Sequence, residues 1–357
     1  MKFIILILLI GIAIRFGLYA YVSQDWLASR MEFASPLTSF ERLKEATFLL
    51  FKLNLSPFSG SFFHVPPWLA LPLMHMPEHL LFLLLVACDT ITTVLLIRTT
   101  KSLLAGAVFF LNPFAILSPI SLSLQSVHVL VAILIVSRTK FVDLWIAMLT
   151  VLKPISPIFL ILTHRPSSVL KTFLWLGFLF VVSFQISGYS FVFPTFVSPV
   201  LISTELQPNV GIWWALFTVM FPASLPLFRI VANTHLLFLA GPLYYRNVLG
   251  PSSKIVTLCA VLLFQPYPTV LDFALFLALM VTFPGMNRLG HVSAQFMFGA
   301  QFFSSVTATL WLDRNTGNAN FLFHLNMVSL VAGVIALGQA VRALRLAGYI
   351  EESKKIQ

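Results

Sequence analysis

Long apolar runs, closed by basic residues or broken by short clusters of proline, asparagine and aromatic residues, constrain this chain more than any other feature. Runs such as residues 3–22 and 80–97 present no polar face for water to solvate. A helix rises about 1.5 Å per residue, so roughly 20 such residues cross the hydrocarbon of a bilayer. With 59% hydrophobic and only 10% charged residues, the chain cannot cover a water-soluble globule of 357 residues. The expected class is an all-α polytopic membrane protein folded as a single transmembrane domain over 1–357.

The remaining composition narrows the partners. Cys88 and Cys259 both sit inside apolar runs, which points to buried thiols and away from a disulfide scaffold or a cysteine metal site. A net charge of +10 arises from basic residues scattered at the ends of apolar segments. Nucleic acid is therefore not an expected partner, and the charges report membrane orientation instead. Residues 1–22 read as an uncleaved first span, because the run is long for a signal peptide and has no clear small-x-small cleavage site.

Arg15 interrupts that span and must face protein, snorkel or reach water. Residues 23–77 form a first polar loop, in which 39–52 has an apolar face against charges at 41, 42, 44 and 45, the pattern of an amphipathic helix on a membrane surface. Residues 80–97 return as the second span, with Asp89 in a buried structural role. Basic ends at Arg98 and Lys101, Arg138 and Lys140, Lys171, Arg246, Lys254, Arg288, Arg342 and Arg345 then place one side of the chain in the cytosol. Between them the expected crossings or half-crossings are 103–118, 122–136, 141–152, 155–162, 173–186, 225–245, 255–264, 270–283, 292–312 and 321–340, with interfacial stretches at 191–203 and 211–221. The total is about twelve transmembrane helices or half-helices, both termini cytosolic, with residues 342–357 as a cytosolic tail.

Catalytic chemistry is hard to find in this chain. A membrane glycosyltransferase using a lipid-linked sugar would need paired carboxylates in the first loop to hold a cation or take a proton. The stretch after the first span supplies Glu32 alone, with Asp25 seven positions earlier. His64, His75 and His79 are irregularly spaced, and Asp143 and Asp272 are too far apart for a proton path. No catalytic residue, metal site or cofactor is therefore expected. What stands out is a set of amide and aromatic islands: Asn209 with Trp213 and Trp214, Gln265 with Tyr267, and Asn318 with Asn320. Amides supply donors and acceptors for sugar hydroxyls, and aromatic rings pack on sugar faces or sit at headgroup depth. The same islands would serve equally as helix caps and turns.

At these islands the chain resembles the PIG-U subunits of the glycosylphosphatidylinositol (GPI) transamidase complex of the endoplasmic reticulum. The resemblance is carried in order by Ser35-Pro36-Leu37, by Leu55 to Gly60 with Phe63-His64, and by Phe110-Leu111-Asn112-Pro113-Phe114 with Ile116-Leu117-Ser118. It continues through Pro208-Asn209-Val210-Gly211, Tyr267-Pro268-Thr269-Val270 with Asp272, and Asn318-Ala319-Asn320-Phe321. It implies a glycosyltransferase-C-like scaffold related to the polytopic GPI mannosyltransferases, interfacial luminal helices, and a non-catalytic subunit that recognises and presents the GPI lipid. The implied partners are the other transamidase subunits, including a Cys-protease-like catalytic subunit, and the GPI lipid, with no cofactor. Carried onto this sequence, the GPI-binding positions are Asn209, Gln265, Asn318 and Asn320, with Trp213 and Trp214 as membrane-interface anchors. Lys354 and Lys355 resemble a dilysine retrieval signal for that compartment. Two other readings stand beside this one: a dolichol-phosphate-mannose-dependent GPI mannosyltransferase with Glu32 as base, and a purely structural membrane subunit.

Overall fold

The computed structural model describes residues 2–60, 62–137, 139–153, 166–202, 206–232, 234–235, 253–283 and 285–356. Among these residues the chain is helical and contains no strand. Four helices are long and apolar enough to cross a membrane: α1 (Lys2–Tyr21), α5 (Glu78–Thr100), α10 (Pro166–Ser187) and α15 (Ala319–Ile356). Between them lie α2 (Gln24–Ala28), α3 (Phe40–Leu53), α4 (Pro67–Met74), α6 (Leu103–Phe110), α7 (Pro113–Ile120), α8 (Gln125–Val136), α9 (Val142–Leu152), α11 (Trp213–Thr218), α12 (Ser253–Phe264), α13 (Val270–Met280) and α14 (Arg288–Ala308).

The single crossing expected over 103–118 is instead a bent pair, α6 and α7, meeting at 51°. Pro113 has no N–H to donate, and the Phe114 N–H is taken by the Asn112 side chain at 2.9 Å. The second change releases the Phe110 carbonyl, which would otherwise accept from the Phe114 N–H, and Arg15 uses it. Its guanidinium donates to the carbonyls of Phe110 (3.0 Å), Ala115 (3.1 Å) and Gly11 (3.1 Å), and lies 3.5 Å from the Asp89 carboxylate. Arg15 and Asp89 are both fully buried, so the charge in the first span faces protein and its partner comes from the second. Gly11 permits this approach, since an added Cβ would lie 2.5 Å from the Phe110 ring.

Counting the bent pair as one span gives up to five candidate crossings among the described residues, against the roughly twelve helices or half-helices expected. The difference comes from short apolar helices. At about 1.5 Å per residue, the 11 residues of α13 extend roughly 16 Å. Every side chain from Val270 to Phe276 is buried, as are Ala278, Leu279 and Met280. A helix apolar on all sides belongs inside protein, and α13 packs against α6, α7, α8, α12, α14 and α15 as the central element of the fold. The stretch 292–312 is α14 running into a π-helical turn at Thr309–Asp313, and 193–202 forms another π-helical segment. The half-crossing at 155–162 and most of 225–245 lie outside the described residues.

The amphipathic reading of 39–52 corresponds to α3, which buries Phe40, Leu43 and Ala46 and exposes Phe48 and Phe51. It ends at Asn54, whose left-handed backbone (φ 54°) closes the helix.

Candidate functional site

Three islands that are far apart in sequence meet beside α13. Trp213 Nε1 donates to the Phe264 carbonyl at 2.9 Å, tying the first island to the second. Gly211 sits so close to the Tyr267-Pro268 turn that a Cβ there would lie 2.8 Å from Pro268 Cγ, which explains why this position has no side chain. The helix that begins in the third island is reached through Asn326, about two turns into α15. Its amide donates to the carbonyls of Asn209 (2.9 Å) and Gly211 (3.0 Å), and its oxygen accepts from Ser304 on α14 at 3.0 Å. Gln301 donates to Ser329 at 2.8 Å and continues the same buried polar seam between α14 and α15. Trp214 stacks on Trp311, with centroids 6.1 Å apart, and packs against Leu322 and Ala308.

The first loop closes over this meeting point. The Val270 N–H donates to the Glu32 carbonyl at 2.9 Å, and the Leu124 N–H donates to that of Thr38 at 3.0 Å. Arg30 then fastens the loop to the end of α14. It holds both Glu32 oxygens (2.8 and 3.3 Å), donates to Thr309 Oγ1 at 2.6 Å and pairs with Asp313, with the Trp26 ring 5.6 Å from the guanidinium.

Beneath the islands lies a buried ionic cluster. Thr269 and Asp272 form a capping box at the start of α13, with the Thr269 N–H donating to the carboxylate at 2.8 Å. The other Asp272 oxygen accepts from Lys153 Nζ (3.0 Å) and Gln125 Nε2 (2.6 Å). Lys153 Nζ also donates to Gln265 Oε1 at 2.7 Å. One ammonium thus connects the end of α9 to the start of α13 and to the second island. A lone lysine followed by proline between two apolar runs was the available sequence signal for this group.

A family model for the GPI transamidase subunit PIG-U matches residues 9–329, which include all three islands, the first loop and Asp272. The chain belongs to the PIG-U family. It is 26% identical over 341 residues to the GPI transamidase component GAB1 of Saccharomyces cerevisiae, covering 87% of this chain and 86% of the yeast protein. To the GPI-anchor transamidase component PIGU of Mus musculus it is 25% identical over 401 residues, covering 93% and 91%. The Homo sapiens protein of the same name is 25% identical over 404 residues, covering 94% and 92%.

Within this PIG-U-family fold, the four amides divide into two pairs. Asn209 is 2% exposed, and its side-chain oxygen accepts from the Gly211 N–H at 2.8 Å in a tight turn. Gln265 is 3% exposed with its oxygen committed to Lys153. Asn318 and Asn320 are exposed, the Asn318 oxygen accepting from the Asn320 N–H at 2.9 Å as α15 begins. Trp214, expected at the membrane interface, is 6% exposed and packs against Trp311, Leu322 and Ala308. Trp213 is half-buried, with its indole N–H spent on Phe264. The side chains of Lys354 and Lys355 lie outside the described residues. Asn326, Gln301, Lys153 and Arg30 organise the region without having been singled out as site residues. A polar side chain deep in an apolar run, such as Asn326, was the signal for them.

Proposed function

We propose that this chain is a non-catalytic subunit of GPI transamidase that recognises the GPI lipid and presents it at the luminal face of the endoplasmic reticulum membrane. The observation that carries the reading is the meeting of three amide and aromatic islands under a first loop whose acid is already committed. Glu32 is buried, and both its oxygens are held by Arg30, an arrangement suited to fastening a loop and unsuited to a general base. The exposed Asn318 and Asn320 hydrogen-bond the glycan, while Asn209 and Gln265 hold the wall behind them through the turn and Lys153. The scaffold is that of a polytopic glycosyltransferase used for binding. Its partners are the other transamidase subunits, including the catalytic one, and both termini are cytosolic, where Lys354 and Lys355 act in retrieval.

The test is photo-crosslinking of a diazirine-bearing GPI in the purified complex. Replacing Asn318 and Asn320 together with alanine is expected to lower crosslinking at least fivefold while the complex still assembles. Crosslinking equal to that of the unaltered complex overturns the site. Mannose transfer by the purified chain, lost on Glu32→Gln, overturns the non-catalytic reading itself.

A further inference from the structure

Away from the islands, the C-terminal end of α3, the turn that follows it, α4 and the end of α10 enclose an open groove of about 410 Å³. That is within the range of small-molecule sites, roughly 300–1,000 Å³. Its walls are apolar, with Leu50, Leu55, Phe58, Leu71, Met74 and Ile186 among them. The polar atoms lie at Asn54, Ser56, Ser187 and Ser190, and among the described residues no charged one lines it.

Three of these serines already bond one another. Ser56 Oγ donates to Ser190 Oγ at 3.1 Å, and Ser190 Oγ donates to the Ser187 carbonyl at 2.8 Å. The hydroxyl row therefore bridges the turn after α3 to the end of α10 and keeps the groove open between them. Among the described residues no group bonds the exposed Asn54 side chain, so its amide is available to a ligand as both donor and acceptor. Around the groove large apolar side chains stand exposed, Phe48, Phe51, Leu53, Leu55 and Tyr189, with Lys52 the exposed charge among them. Such a surface is covered by hydrocarbon, and the groove is continuous with it.

We infer that this groove binds one acyl chain of a membrane lipid whose head is uncharged and carries hydroxyl or ester groups, the diacylglycerol class, with Asn54 and the serine row at the head. A phosphate-bearing head would call for arginine or lysine in the lining, and the described lining residues include none. The groove does not include any island residue, so this inference stands apart from the proposed glycolipid site.

The test uses the complex in phosphatidylcholine nanodiscs and a diacylglycerol with a diazirine at mid-chain. Labelling is expected on peptides from 50–74 and 186–190, at least fivefold reduced by excess unlabelled diacylglycerol and unchanged by equal phosphatidic acid. Leu71→Trp and Ser190→Trp, which add bulk at partly exposed positions, are each expected to lower labelling at least fivefold. Labelling equally displaced by phosphatidic acid overturns the uncharged head. Labelling that is scattered over the lipid-facing helices, or undiminished in both tryptophan variants, overturns the groove. Because the competition is read on the unaltered complex, a variant that fails to assemble leaves the result intact.

Discussion

Lys153 is the most consequential buried side chain in the fold, and replacing it with methionine tests the account of the ionic cluster. The substitution keeps an unbranched chain of similar length and removes the ammonium. Asp272, fully buried, would keep its bonds to Gln125 and the Thr269 N–H but lose its only ion-pair partner among the described residues. Removing one member of a buried pair costs about 3–5 kcal/mol, because the remaining charge is left in a medium that cannot solvate it. At the shallow end of roughly 2 °C per kcal/mol for large domains, the midpoint of thermal unfolding should fall by about 5 °C or more. Circular dichroism of the detergent-purified protein measures it. Adding Asp272→Asn removes the stranded charge: its oxygen can still accept from the Thr269 N–H while its NH2 meets the unpartnered Gln125 Oε1 once that amide turns over, so the double variant should recover at least half of the loss. The reasoning fails if Lys153→Met melts with the unaltered protein, or if the double variant is no more stable than the single.

Other expectations follow from the same geometry. Asn326→Leu removes three interhelical or loop hydrogen bonds, each worth about 0.6–1.7 kcal/mol in a membrane bundle. It should loosen the Asn209–Gly211 turn, read as faster limited proteolysis near residue 209. Gly211→Ala drives a methyl to within 2.8 Å of Pro268, an overpacking that costs about 1–3 kcal/mol and lowers the melting midpoint; an unshifted midpoint would contradict the close approach. Lys44 joins Asp25 (2.6 Å) and Glu78 (3.3 Å) across α2, α3 and α5, yet it is well exposed. Lys44→Met should therefore change stability by less than about 1 kcal/mol. The hydrogen bond that Lys44 donates to Asp25 raises the Lys44 pKa, burial opposes it, and Glu78 adds to the rise. On the lysine side its small contribution is complete below the ordinary lysine value and lost only as pH rises through the raised one, so titration between about pH 6 and 9, where the carboxylates stay ionised, should leave it unchanged.

Much of this was legible in the apolar pattern. The first two spans, the amphipathic α3, the need of Arg15 for a polar surrounding and the structural role of Asp89 follow from where charges interrupt hydrophobic runs, because lipid penalises an unpaired charge severely; that Arg15 turns to protein was decided by the structure. The family resemblance was likewise carried by short polar motifs whose order a sequence displays directly. The count of crossings was less legible. An apolar stretch of 11 residues reads alike whether it lies in lipid or in protein, and α13 turned out to be wrapped by six other helices.

The candidate site shows the same division. That amides and aromatics would gather at a few islands was visible, and the missing acidic pair in the first loop was visible too. Which amides stay exposed was decided by tertiary contacts: Asn209 folds back on its own turn, Gln265 is taken by Lys153 across 112 residues, and Asn318 and Asn320 remain at the surface. The tryptophan pair divides in the same way, with Trp214 drawn inward by Trp311 and Leu322. Sequence alone determined the solvent in which this protein folds and the residue types it gathers, since hydropathy and charge are properties of each residue. Only the tertiary structure decided which polar groups bond to one another and which remain for a ligand, since a hydrogen bond depends on where two distant segments meet.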